Sequence, residues 1–367
     1  MICFIQTEND LNIGISTMQK LGFGVIGCGS IGKHHLKQLK EIERAKVTAA
    51  CDIDASTLEG FGELAGLPRE KLYNDYRELL KRGDVDAVVV CLPNRLHSSV
   101  TVEALEAGKH VLCEKPMAVN LKEAERMVEA AEKTGRKLQV GLQNRFKGEA
   151  QALKRHVERG DLGDIYFAKC GWLRRNGIPG WGSWFTRRKD AGAGPIYDIG
   201  VHALDLTLWL MDNFQPAEAY ASSYMKFGPE KKGLGGWGVT NTDGYYDVED
   251  LASAMLKMEN GATVTFEVSW ASHIEKEKFF VEVLGDVAGL DLQSATIFTT
   301  EDGSLVDRKL EFEERNAYLD EMNHFIDCII NDEEPLTRPE ELLGLQRALD
   351  MILKSSQENR VVKAGEV

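Results

Sequence analysis

Between residues 21 and 141 the chain alternates short apolar runs with stretches of helical spacing, and no other feature narrows its fold so far. The runs cover 21–27, 47–52, 87–92, 111–113 and 138–141, and helical spacing occupies 30–39, 55–65, 97–107 and 121–134 between them. The run at 87–92 is almost wholly β-branched or apolar, which suits a strand buried on both faces. Strands separated by helices of this length imply βαβ units, right-handed crossovers and a parallel sheet.

After Arg145 the pattern changes. A helix over 148–158 leads into a strand at 165–172, then into a Gly/Trp/Arg-rich segment at 171–194 with little periodicity. Residues 196–211 predict a helix, and 252–258, 263–270, 279–284 and 295–299 predict strands, with turns at Asn260-Gly261, Gly285-Asp286 and Asp302-Gly303. Helices over 318–330 and 340–355 close the chain. The expected fold class is α/β: an N-terminal doubly wound parallel sheet over 21–144, then an α+β domain over 145–367 with a large, mostly antiparallel sheet. Residues 1–20 are expected to be an extension.

Composition excludes several function classes. The 367 residues carry 44 basic and 58 acidic groups, and 32 of the acidic ones lie in 201–367 against 14 basic ones. A nucleic-acid binder shows a basic face or stripe, so nucleic acid is not an expected partner. No apolar run approaches the length of a membrane span, and the first 20 residues lack the basic start and long apolar core of a secretory signal. The seven cysteines are odd in number and form no C-x-x-C, as expected of free thiols in a reducing, cytoplasmic setting.

Gly27-Cys28-Gly29-Ser30-Ile31-Gly32 is G-x-G-x-x-G between an expected strand and an expected helix. In that context the first glycine permits a tight turn, the second admits a pyrophosphate to the backbone, and the third allows helix to pack on strand. The second strand ends at Asp52, whose carboxylate would accept hydrogen bonds from ribose hydroxyls and repel a 2′-phosphate. This favours NAD over NADP; the plainer role of capping the next helix can fall to Asp54.

Three further segments carry candidate chemistry. Pro93-Asn94-Arg95-Leu96-His97 follows a central strand, where ligands of open α/β sheets sit. Asn94 and His97 there could face the cofactor, or Asn94 could cap a helix. Glu114-Lys115-Pro116 ends the next strand, with a lysine able to carry a proton or donate to a carbonyl, beside a proline able to take the cis form. Asp198 and His202 are spaced i, i+4 on the expected helix, with Asp205 continuing their face. That trio could perform acid–base work, form a structural salt bridge or hold a metal, although nothing nearby has a familiar zinc pattern. Between these segments, Trp172, Trp181 and Trp184 stand among Arg174, Arg175, Arg187 and Arg188. Such residues stack on sugar rings and bind their oxygens, or build an interface.

Together, 24–32, Leu92-Pro93-Asn94-x-x-His97, 107–116 (Ala-Gly-Lys-His-Val-Leu-Cys-Glu-Lys-Pro) and Asp198-Ile-Gly-Val-His202-x-x-Asp205 resemble the glucose–fructose oxidoreductase/inositol dehydrogenase/MocA (Gfo/Idh/MocA) family. The resemblance implies a Rossmann domain followed by an open-sheet domain that mediates homodimers or homotetramers. It also implies Lys115, Asp198 and His202 at the reacting carbon, and a sugar or cyclitol substrate. On this reading the cofactor meets Gly27, Gly29, Ser30, Ile31, Gly32, Asp52, Pro93, Asn94, His97, Glu114 and Lys115. The substrate meets Lys115, Trp172, Arg174, Trp181, Trp184, Asp198 and His202, and no metal is needed. The expected activity is an NAD-dependent dehydrogenase. A redox-assisted glycosidase and a non-enzymatic NAD(H)-responsive binder are the alternatives. Where the family often has three glycines before the Asp motif, Ala193 replaces the middle one.

Overall fold

The computed structural model describes residues 20–367, so the expected extension over 1–20 falls, but for Lys20, outside the described residues, as does Cys3. The first unit runs β1 (Leu21–Ile26), α1 (Ser30–Glu41), β2 (Ala45–Cys51), α2 (Ala55–Ala65), β3 (Leu72–Tyr73), α3 (Tyr76–Leu80), β4 (Ala87–Val90), α4 (His97–Glu106), β5 (His110–Cys113), α5 (Leu121–Thr134) and β6 (Leu138–Val140). All its strands are parallel, in the order β3-β2-β1-β4-β5-β6. The winding reverses between β1 and β4, which opens a crevice over their carboxyl ends. Every residue of β4 is buried, as its β-branched run required. Asp54 caps α2 by accepting from the Thr57 N–H at 2.7 Å, which leaves Asp52 free for another role.

The second unit begins with α6 (Gly148–Glu158) and β7 (Ile165–Leu173). The short α7 (Arg188–Ala191), α8 (Val201–Leu210), β8 (Pro216–Tyr224), β9 (Leu251–Met258) and β10 (Thr263–Ser269) follow. Then come β11 (Lys278–Gly285), β12 (Ala288–Asp291), β13 (Thr296–Glu301), β14 (Ser304–Lys309), α9 (Ala317–Asn331), α10 (Pro339–Glu358) and β15 (Val362–Lys363). The nine-stranded sheet is ordered β14-β13-β12-β11-β7-β10-β9-β8-β15 and is antiparallel except where β10 pairs with β7. The β13–β14 hairpin turns on Asp302 and Gly303, both at positive φ, as that dipeptide predicts.

The two faces of this sheet differ. A row running Ala221, Ala254, Phe266, Cys170 and Val281 across five strands is buried beneath α8 and α10. The neighbouring row, Tyr220, Met255, Thr265, Lys169 and Glu282, lies open on the other face.

Two features depart from the sequence expectation. The helix expected over 196–211 starts as a π-helical turn, Ile196–Gly200, before α8 continues it. Gly200 sits there against the Phe266 ring, where a Cβ would fall 2.6 Å from the ring edge. Such turns occur mostly as local insertions at functional sites. The second departure is α9, which returns to the first sheet. Met322, Phe325 and Ile326 pack with Phe23, Val25 and Leu39, and the Phe23 and Phe325 rings meet edge to face at 6.4 Å. Residues near the end of the chain thus complete the core of its first unit.

Phe325→Ala should therefore lower stability by about 3–5 kcal/mol, the usual cost of emptying a buried aromatic site. Its denaturant midpoint should fall together with that of cofactor binding, because the packed face belongs to the first sheet.

Candidate active site

A cleft of about 590 Å³ lies between the carboxyl ends of β1, β4 and β5 and the second unit. Its floor on the first side is Gly29, Ser30, Ile31, Cys91, Leu92, Pro93, Asn94, Glu114 and Lys115. Facing them are Trp172 and Arg174 near the end of β7, Asp198 and Ile199 on the π-helical turn, and His202 on α8.

Lys115 crosses between the units. Its Nζ donates to the Asp198 backbone oxygen at 2.7 Å and to Asp198 Oδ1 at 3.1 Å. Trp270, just beyond β10, donates from Nε1 to Asp198 Oδ2 at 2.8 Å. Asp198 is thus held at both oxygens, but not by His202, and the i, i+4 pairing expected of these two residues does not form. The extra residue of the π-helical turn changes the angular spacing on which that pairing relied. Asp205 leaves the expected face as well: it accepts a bidentate pair from the buried Arg145, which also bonds Glu341. The carboxylate–imidazole–carboxylate set considered for a metal therefore does not converge.

Neither ring nitrogen of His202 has a hydrogen-bond partner among the described residues. Nδ1 is fully buried, which leaves Nε2 as the nitrogen turned to the cleft. Burial, then the nearby charges of Lys115, Lys147 and Arg174, hold the His202 pKa well below the ordinary imidazole value. The imidazole is thus neutral and able to accept a proton. Glu114 is buried too: Oε1 meets His35 Nε2 at 2.7 Å and Oε2 accepts from the Lys115 N–H. Burial alone would raise its pKa, but His35 and Lys115 outweigh that and leave it lowered. The Lys115–Pro116 peptide bond is cis.

The glycine loop fits a dinucleotide. At Gly27, with φ +96°, a Cβ would lie 2.1 Å from the Cys91 carbonyl oxygen; at Gly32 it would lie 2.1 Å from that of Gly27. Gly29 has nothing within 4 Å of its Cβ position, so the loop is open there. No side chain caps α1, and no acidic residue stands in its first turn. Free N–H groups and the positive end of a helix dipole meet an anion well. Asp52 accepts from the Cys28 N–H at 2.8 Å and the Asp54 N–H at 2.9 Å, which fixes it beside the loop.

Other expected site residues have different neighbours. His97 is buried, with Nδ1 and Nε2 each 2.8 Å from the backbone oxygens of Pro116 and Leu92, so it ties two strand ends together instead of facing the cleft. Asn94 lines the cleft but caps nothing; its amide donates to Ala191 O at 2.8 Å, across to the second unit. Trp181 is buried away from the cleft and donates to Gly228 O, with Lys231 over its ring. Trp172 lies 6.0 Å from the His202 ring, under the Arg174 guanidinium, and Trp184 stacks on Phe185. Sequence reasoning missed Trp270, Tyr318 on α9, Phe185 and the Trp237-Gly238-Val239 stretch, all but Trp270 in the cleft lining. Only the Gly-Gly-Trp-Gly run at 235–238 carried a local signal.

Comparison with known proteins bears on the same regions. Residues 21–142 match the model of an oxidoreductase family with an NAD-binding Rossmann fold, and 150–291 match the GFO/IDH/MocA C-terminal domain. A D-glucoside 3-dehydrogenase of Escherichia coli is 33% identical, over 85% of this chain and 89% of its own length. A myo-inositol 2-dehydrogenase of Thermotoga maritima is 29% identical over 94% and 98%. Among solved structures, an aldose-aldose oxidoreductase of Caulobacter crescentus complexed with glycerol superposes with a TM-score of 0.78 at 26% identity, covering 94% of this chain and all of that one. Among the described residues, no helix is long and apolar enough to cross a membrane.

The depressed His202 pKa has a stability consequence. Below pH 6.5 the unfolded chain binds a proton at this imidazole that the folded chain refuses. The contribution is therefore complete above that pH and is lost as pH falls toward the folded value. Denaturant melts of His202→Asn should show a shallower acid-side loss, by up to about 1.4 kcal/mol per pH unit; an unchanged slope would mean the imidazole is not held neutral.

Proposed function

The chain belongs to the Gfo/Idh/MocA oxidoreductase family, and on that premise we propose that it interconverts a hydroxyl and a ketone of a sugar or cyclitol, with NAD as its cofactor. The observation that carries this reading is the meeting, in one cleft with the open glycine loop, of a carboxylate-held ammonium and a neutral imidazole.

A nicotinamide dinucleotide, when bound, supplies the hydride acceptor. Ser30, Ile31 and the α1 N-terminus would hold its pyrophosphate, and Asp52 its adenosine ribose. The chain's own residues handle the proton. Lys115 spends donors on Asp198 and keeps one for the substrate oxygen, where a fixed positive charge stabilises the negative charge that develops. Its assigned role is that of hydrogen-bond donor. His202 accepts the hydroxyl proton at Nε2. Asp198 aims Lys115 and has no direct hold on His202. Trp172 and Arg174, stacked on each other, form one side of the sugar pocket, with the guanidinium donating to sugar oxygens.

The open face of the nine-stranded sheet, with Tyr220, Met255 and Phe298 exposed, supports a homodimer or homotetramer. The free thiols, Cys28, Cys51, Cys91, Cys113, Cys170 and Cys328, support residence in the cytoplasm.

A panel of inositols, aldoses, anhydrosugars and glycosides, each with NAD and NADP, tests the activity; net NADH from a free polyol separates it from a glycosidase that regenerates its cofactor. Lys115→Ala and His202→Ala should each slow hydride transfer by about 10²–10⁴ with NAD affinity retained, and full turnover in both would contradict the assignment. Asp52→Ala should narrow the preference for NAD over NADP by about 10–100-fold, the worth of hydrogen bonds to a charged group. An unchanged ratio of kcat/KM for the two cofactors would remove Asp52 from the ribose site.

A further inference from the structure

The two ends of the cleft are chemically unlike. Every charged side chain in its lining, Glu114, Lys115, Arg174, Asp198 and His202 when protonated, comes from a strand end, from the turn leading into α8 or from the first turn of α8. These groups lie deep: the side chains of Lys115 and Asp198 are 19% and 18% exposed, and His202 is buried. The outer wall comes from two irregular segments, 175–187 and 225–250, which contribute Ser183, Trp184, Phe185, Trp237, Gly238 and Val239. Trp237 is 52% exposed and Val239 83%, which puts this wall at the opening.

The wall is fastened and not loose. Backbone N–H groups of Gly180, Asn241 and Gly235 donate to the carbonyls of Trp237, Trp181 and Ile178 at 2.7, 2.7 and 2.8 Å. Asp250 Oδ2 accepts three successive N–H groups, from Lys226, Phe227 and Gly228, where the second segment begins. Trp184 and Phe185 stack at 3.8 Å. Aromatic faces are therefore presented in fixed positions, with one hydroxyl among them, and the Ser183 Oγ is itself buried.

A second sugar ring at this end would bring several hydroxyls to a wall without partners for them, which is unfavourable once water is displaced. An apolar ring requires no partners and gains from each aromatic face. Resting on the dehydrogenase reading above, we infer that the substrate is a glycoside with an apolar, ring-bearing aglycone: the sugar occupies the deep end, and the aglycone packs on Trp184, Phe185, Trp237 and Val239.

The test compares methyl and phenyl D-glucopyranosides and D-galactopyranosides, in both anomers. Two quantities are read: kcat/KM with NAD, and the calorimetric Kd of the NADH-loaded protein. The phenyl-to-methyl ratio should be about tenfold or more in both readouts, and Trp237→Ala should bring it close to one. A ratio is insensitive to the fraction of folded variant. A native ratio near one, or a ratio unchanged in Trp237→Ala, overturns the aglycone end alone when free sugars or cyclitols are still oxidised. Absence of NADH from every glycoside, aldose and inositol overturns the dehydrogenase reading itself.

Discussion

Lys115 and Asp198 are 83 residues apart in sequence, and their ion pair spans the gap between two sheets that share no strand. The ammonium follows a strand of the parallel sheet, and the carboxylate opens the helix laid on the antiparallel one. Trp270, just beyond a strand of that second sheet, donates to the remaining carboxylate oxygen. Half-buried pairs of this kind add little net stability, because desolvation offsets most of the attraction. Their value is positional: the ammonium is set at the cleft floor with a donor to spare. Asn94, bonded to Ala191 O, makes a second crossing nearby and limits how far the units can slide past each other.

The same ammonium, second to burial, acts on His202. Burial and three neighbouring cations keep this imidazole neutral, so the site holds a charged donor and an uncharged acceptor side by side. The two side chains divide donor from acceptor work: the lysine is held by Asp198, and the imidazole is left without a partner among the described residues. Beneath them, Arg145 clamps Asp205 and Glu341 and fixes the middle of the helix that carries His202. Removing one partner of that network would leave a charge uncompensated, so the helix that carries His202 is held from below as well as from its first turn.

The parts legible in the sequence are those with a local cause. The parallel sheet followed from β-branched runs, the glycine loop from its spacing between strand and helix, and the β13–β14 turn from Asp302-Gly303. Strand β8 was missed because its inward residues, Ala219 and Ala221, are small where α10 packs closely, so no apolar alternation marks it. Strand β14 is an edge strand with almost every residue exposed and no apolar face to read. Residue type picked out Lys115, Asp198 and His202, which the fold brings to one cleft, but not which of them touch. Imidazole and indole suit a cleft, which is why His97 and Trp181 are expected there, yet each is held in the interior against backbone oxygens. Tyr318 and Trp270 reach the site through tertiary packing alone, and one sequence carries no signal for that.

The division of labour between lysine and histidine is a statement about one oxygen atom. It can be read from a crystal structure of the protein with NADH and an oxidisable sugar or cyclitol bound. Lys115 Nζ and His202 Nε2 should both lie within about 3.2 Å of the hydroxyl on the carbon that faces the nicotinamide. A hydroxyl bound by Lys115 with His202 Nε2 turned to another group would contradict the assignment of the base.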